Sequence, residues 1–211
     1  MKRLVKNQVL LAKVGGTPDT TNVVSLVEPF SPSFDFKSGE YRELDGKMGT
    51  TKTYVIGDYV AVSGTLSSYL RTNGGGANVP KLDEMFKMSG FDGVALDTDG
   101  DDKDDTYRYT PNSDELANGT IIFYLDGIKR TFSNVSANLK FSFEVGMPAK
   151  VEFDIKGFST APVSEANPSV NLDENELFIV TSAQAVTLSG NTLQLTKVDF
   201  DMQSDIKRFT Q

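Results

Sequence analysis

ANLKFSFEVGMPAKVEFDIKG, residues 137–157, decides the fold. Leu139, Phe141 and Phe143 fall on one side of an extended chain, and Asn138, Lys140, Ser142 and Glu144 on the other. Gly146-Met147-Pro148 interrupts the run. Val151, Phe153 and Ile155 then alternate with Lys150, Glu152, Asp154 and Lys156. A period of two belongs to a strand, so two strands around a short Gly/Pro turn make a hairpin with one buried and one wet face.

The same reading extends outward. TIIFYLDGIKRTF, 120–132, places Asp126-Gly127 between two apolar runs, a strong short-range hairpin signal. Residues 30–36 and 53–70 read as strands flanking a polar, glycine-containing loop of about fifteen residues, KSGEYRELDGKMGTTK. Loops of that length inside a compact domain are often functional. QAVTLSGNTLQLTKVDFDM, 184–202, pairs two more strands across Gly190-Asn191. One segment reads as a helix, PKLDEMFKMSG, 80–90: Pro80 starts it, Gly90 ends it, and Leu82, Met85 and Phe86 share its apolar face. Asp83 and Glu84 sit in its first turn, where carboxylates suit the helix dipole. The expected fold is all-β, a sandwich or barrel of roughly eight to ten strands with one short helix, in a single domain over 1–211.

Composition narrows the chemistry. The chain has 211 residues, no histidine, no cysteine and no tryptophan. Without histidine and cysteine, the commonest general base, the histidine triads and thiolate metal sites are all excluded. An enzyme is not expected, although a carboxylate pair such as Glu152 and Asp154 could be imagined to act; alternating charge on a strand is more commonly its solvated face. Net charge is −8, which does not fit a basic nucleic-acid binder. The apolar run at Val9, Leu10, Leu11 and Ala12 ends at Lys13, too short for a signal peptide, and no stretch reads as a membrane span. Two glycosylation patterns, Asn118-Gly119-Thr120 and Asn134-Val135-Ser136, carry little weight without a secretion signal.

DTDGDDKDD, 97–105, holds six aspartates and one lysine, −5 of the net charge. Counted as an EF-hand loop from Asp97, it places Asp99 and Asp101 at ligand positions 3 and 5. Asp102 then stands where glycine belongs, and Arg108 where the closing carboxylate belongs. A self-repelling surface loop is the simpler reading. The alternative is a calcium-assisted, ligand- or glycan-binding β-sandwich using Asp97, Asp99 and Asp101; the absence of tryptophan counts against a sugar platform.

Taken in order, several segments resemble the tail tube proteins (major tail proteins) of long-tailed, siphovirus-type bacteriophages. LLAKVGGTPDT, 10–20, looks like the N-terminal arm, placed at 1–22, and the text at 27–30 follows it. EYRELDGKMGT, 40–50, resembles the tip of the long hairpin loop at 37–54. VPKLDEMFKMSGF, 79–91, is similar to the helix, placed at 81–90, that ends in Gly90-Phe91. The most specific part runs from Tyr109-Thr110-Pro111 through Leu125-Asp126-Gly127, the step at 134–138 and the break at 146–148 to Gly157. FDMQSDIKRF, 200–209, looks like the closing strand and tail; the acidic run 97–105 has no counterpart in the pattern.

The resemblance implies a structural virion protein without cofactors. Hexameric rings would stack into a hollow tube, each subunit lending a four-stranded inner sheet to a continuous barrel. DNA would pass through the lumen without sequence-specific binding. Implied partners are further copies of itself and the tape-measure, tail-tip and terminator proteins, with no membrane insertion; the location is the phage tail. The wet sides of 137–144 and 150–156, with 30–36 and 58–70 as the companion pair, are the candidate lumen. The residues expected there are Asp35, Ser63, Lys140, Glu144, Lys150, Glu152 and Asp154, beside Ser33 and Thr65. Plain outer surface is the competing reading, because periodicity separates the faces without saying which is which. Tyr41, Arg42, Glu43 and Lys47 in the long loop are the candidate inter-ring contacts. A terminator ring, or the tube protein of a related contractile machine, is the neighbouring alternative.

Overall fold

The computed structural model describes residues 7–36, 38–42, 51–55, 60–72, 78–100, 106–112, 117–172, 175–181, 184–188 and 191–203. These form β1 (Gln8–Val14), β2 (Ser33–Asp35), β3 (Ser38–Arg42), β4 (Thr51–Val55), β5 (Val60–Tyr69), α1 (Asp83–Met88), β6 (Phe91–Leu96) and β7 (Thr106–Pro111). Then come β8 (Gly119–Leu125), β9 (Ile128–Glu144), β10 (Lys150–Ser159), β11 (Val163–Ser164), β12 (Gln184–Leu188), β13 (Asn191–Leu195) and β14 (Lys197–Asp201). The fold is all-β and antiparallel, with one short helix among the described residues.

The main sheet runs β1-β8-β9-β10-β5-β2, with β11 and β14 also paired to β9. β9 organises it. Its 17 residues serve as the return strand of the 120–132 hairpin and as the first strand of the 137–157 hairpin. Two hairpins read separately in the sequence thus share one strand. The strand bends where Asn134 takes φ 50°, and the ladder to β10 slips between Lys156 and Phe158. At the β8–β9 turn, Asp126 (φ 48°) and Gly127 (φ 79°) both adopt the left-handed conformation a type I′ hairpin requires.

The bend curls the sheet around its own apolar side. Phe30, just before β2, meets Phe123 of β8 at 5.2 Å between ring centroids, and Phe34 of β2 meets Phe132 of β9 at 6.4 Å. α1 plugs the remaining opening: Leu82, Met85, Phe86 and Met88 are buried, and Phe86 packs edge-on against Phe153 at 5.7 Å. The helix spans 83–88 rather than the expected 81–90, with Lys81 and Leu82 before it and Ser89 and Gly90 after it in turns.

Other expectations need adjustment. Within the expected N-terminal arm, 8–14 is an integral strand of the body. Leu10, Leu11 and Ala12 are buried, and β1 pairs with β8 along its whole length, because three consecutive apolar residues suit a strand covered on both faces. The far side of β1 and β8 is covered by Val23 and Val170 over Leu11, Ile122 and Tyr124. The strand expected at 30–36 is only Ser33–Asp35. The long loop is not irregular where it is described: β3 and β4 pair from Ser38↔Val55 to Arg42↔Thr51. β6 with β7 and β12 with β13 make two further separate hairpins. Among the described residues, no helix is long and apolar enough to cross a membrane.

Candidate functional site

The site is a sheet face. β2, β5, β10 and β9 lie side by side, and β14 extends them past the far half of β9. One side of this sheet is core: Val151, Phe153, Ile155, Leu139, Val62 and Leu66 are buried. The opposite side is polar across all five strands. The register aligns Ser63 with Ser33 and Lys156, Thr65 with Asp154, and Ser67 with Glu152. It continues with Asp154 beside Asn138, Glu152 beside Lys140, and Lys150 beside Ser142. Asp201, Asp199 and Lys197 then pair with Lys140, Ser142 and Glu144. By register, Asp35, Ser63, Lys140, Glu144, Lys150, Glu152 and Asp154, the candidate lumen residues, lie on one side of one sheet.

Side chains weld the strands together on that face. Lys140 Nζ lies 2.7 Å from Asp154 Oδ2 and 3.5 Å from Asp201 Oδ2. The Thr65 hydroxyl donates to Asp154 Oδ1 at 2.6 Å, and the Asn138 amide donates to Asp201 Oδ1 at 3.1 Å. The Ser142 hydroxyl donates to Asp199 Oδ1 at 2.6 Å, and Lys197 sits 3.1 Å from Asp199. Lys150 is 3.0 Å from both Glu28 and Glu152. The hydrogen bond to Asp154 raises the Lys140 pKa, and that to Glu28 raises the Lys150 pKa. Asp199 is lowered chiefly by Ser142, and Asp201 chiefly by the backbone N–H of Gln203. Toward β10, Lys140 therefore pairs diagonally with Asp154 rather than with Glu152 directly opposite, and toward β14 it meets Asp201 directly opposite. An open groove of about 460 Å³ runs between Lys140, Lys150, Glu152, Asp199 and Asp201.

The charges are mixed but lean acidic. Lys140, Lys150, Lys156 and Lys197 share the face with Asp35, Glu144, Glu152, Asp154, Asp199 and Asp201. The β14 contribution was missed by sequence reasoning. KVDFD alternates as a strand should, and its lysine and aspartates fall in phase, but nothing local says it lies beside β9. Glu28 was missed for the same reason; it reaches Lys150 across 122 residues.

Neither β2 nor β14 has a second ladder partner among the described residues. Both edges carry exposed apolar side chains: Phe36 just beyond β2, and Val198 and Phe200 on β14. Such edges invite pairing with another chain.

The remaining candidates scatter. Tyr41 and Arg42 lie on β3, at the far end of its ladder with β4; Glu43 and Lys47 lie outside the described residues. Asp97 Oδ1 accepts the backbone N–H groups of Asp99 (3.2 Å) and Gly100 (2.7 Å), so that oxygen closes a turn. Asp101 lies outside the described residues. Among the described residues, no three acidic side chains converge in a geometry able to hold a metal ion.

No family model and no curated protein matches the chain. Among solved structures it is similar to the tube-terminating cap of an anti-feeding prophage, at 15% identity and a TM-score of 0.39, over 72% of this chain and 88% of that one. It is also similar to a chain of the sheath–tube complex, in the extended state, of the extracellular contractile injection system PVC, at 11% identity and a TM-score of 0.37, over 73% and 86% respectively.

Proposed function

We propose that this chain is a structural subunit that assembles into a phage-tail-like tube, with the polar face of β2-β5-β10-β9-β14 lining the bore. The observation that carries the reading is a polar-faced sheet open at both edges, with exposed Phe36 at one edge and Val198 and Phe200 at the other. Joining the β14 edge of one copy to the β2 edge of the next is a head-to-tail contact, and such contacts close into rings when the rotation allows. Closure removes the edges and leaves one continuous polar wall.

The chemistry of the face suits passage of DNA rather than binding. Lysine contacts to phosphate add affinity with each ion pair formed. Here Lys140, Lys150 and Lys197 are already engaged by carboxylates of the same subunit. The finer reading is the major tail protein of a long-tailed phage: stacked hexameric rings, with the 37–54 hairpin and the segment before β1 reaching neighbouring rings. Tape-measure, tail-tip and terminator proteins would be its partners. The ordered sequence resemblance supports this level of detail.

Negative-stain electron microscopy of the purified protein, beside light-scattering mass, tests the reading. Hollow tubes or stacked rings are expected. Phe36→Asp and Phe200→Asp should each leave a folded monomer by circular dichroism and abolish assembly. Closed rings that never stack would favour a terminator role. Assembly undisturbed by both substitutions would remove the edge-to-edge contact.

A further inference from the structure

We propose that Asp83 is a latch that sets the β6–β7 hairpin, and with it the base of the acidic run, against the body of the protein. Among the described residues, the hairpin belongs to neither the main sheet nor another hairpin; its ladder is its own. Its root is closed by the Asn112 N–H donating to Gly90 O at 2.8 Å and by the Asn112 amide on Asp92 at 2.6 Å. Above the root, one carboxylate gathers the polar contacts between the hairpin and α1. Tyr107 and Tyr109 of β7 both donate to Asp83 Oδ1, at 3.2 and 3.0 Å, while Lys87 pairs with Oδ2 at 2.5 Å.

The arrangement is specific. Asp83 is only 3% exposed, so its charge is out of water and depends on these three donors. Burial, then the Asp83 charge, pushes the Tyr109 phenol well above its ordinary range, which keeps it a donor. The Tyr109 ring lies 4.7 Å from Phe86. Tyr107 crosses the backbone of Gly93, where a Cβ would sit 2.5 Å from its ring; only glycine lets the ring reach the carboxylate. Leucine at 83 would serve packing more cheaply than a buried carboxylate does. What the carboxylate adds is direction: two phenols converge on one oxygen and define the set of the hairpin. The neighbouring Glu84 instead accepts the Val14 N–H at the end of β1, so α1 holds β1 and the β6–β7 hairpin with adjacent carboxylates.

The latch is a property of the single chain and stands apart from tube assembly. Hydrogen–deuterium exchange by mass spectrometry tests it on the Tyr107→Phe/Tyr109→Phe double variant, which keeps both rings, and on Asp83→Asn. The expected result is amide exchange at least about tenfold faster in 91–96 and 106–111, with 121–124 and 150–155 unchanged. Unchanged exchange in the hairpin overturns the proposal. So does exchange that rises equally in β8 and β10, which would make Asp83 a general core residue. If Asp83→Asn does not fold, the double tyrosine variant decides; its failure to fold would equally overturn a local latch.

Discussion

β10 and β14 flank the same half of β9 from opposite sides. Both alternate apolar and polar residues, VEFDI in one and KVDFD in the other. Their fates differ. Val151, Phe153 and Ile155 are at most 1% exposed, whereas all five residues of β14 are exposed. The difference lies behind the strands. α1 and the curled half of the sheet cover the apolar side of β10. No described element covers Val198 and Phe200. Alternation makes a strand; burial needs a second layer.

The largest break in this comparison should come from truncating equivalent phenylalanines. Phe153→Ala should cost about 3–5 kcal/mol, the range for a buried phenylalanine, whereas Phe200→Ala should stay within about 0.5 kcal/mol in the monomer. Urea unfolding measures both. Equal losses would mean that β14 is packed in solution in a way its exposure denies.

Acid should separate the two strands next. Asp199 and Asp201, which tie β14 to β9, have native pKa values below the ordinary 3.8. A carboxylate depressed in the folded chain stabilises fully above its unfolded value and loses that contribution as pH falls through the native one. Amide chemical shifts followed from pH 5 to pH 2 should therefore show 197–201 loosening below about pH 3.8 while 151–155 holds. Simultaneous loss of both strands would mean the aspartates do not govern β14 separately.

The smallest effect concerns the polar face of β10 itself. Lys150→Met removes two ion pairs with partly exposed carboxylates and should change stability by no more than about 1 kcal/mol. A loss as large as that of Phe153→Ala would show that the polar face, not the core, holds β10 in place.

Much of this was legible locally. The hairpins at Asp126-Gly127 and 145–149 follow from turn chemistry and period-two patterning, as does the separation of Lys140, Glu152 and Asp154 from Leu139, Phe153 and Ile155. The helix was legible from Pro80, Gly90 and its apolar stripe. Sequence alone marks Asp83 only as a first-turn carboxylate, because a helix dipole is a local cue and two tyrosines more than twenty residues away are not. The joining of two hairpins into one 17-residue β9 was hidden by a bend at Asn134 that breaks the alternation.

By itself, then, the sequence determined the strands and turns of the 120–132 and 137–157 hairpins and which of their side chains share a face, because a pleated chain alternates regardless of its surroundings. Only the tertiary structure decided which strands are neighbours, which apolar faces are covered, and where the acidic hairpin is fastened. Those outcomes depend on contacts between residues far apart in the chain, such as Glu28 with Lys150 and Asn138 with Asp201, and local patterning carries no record of them.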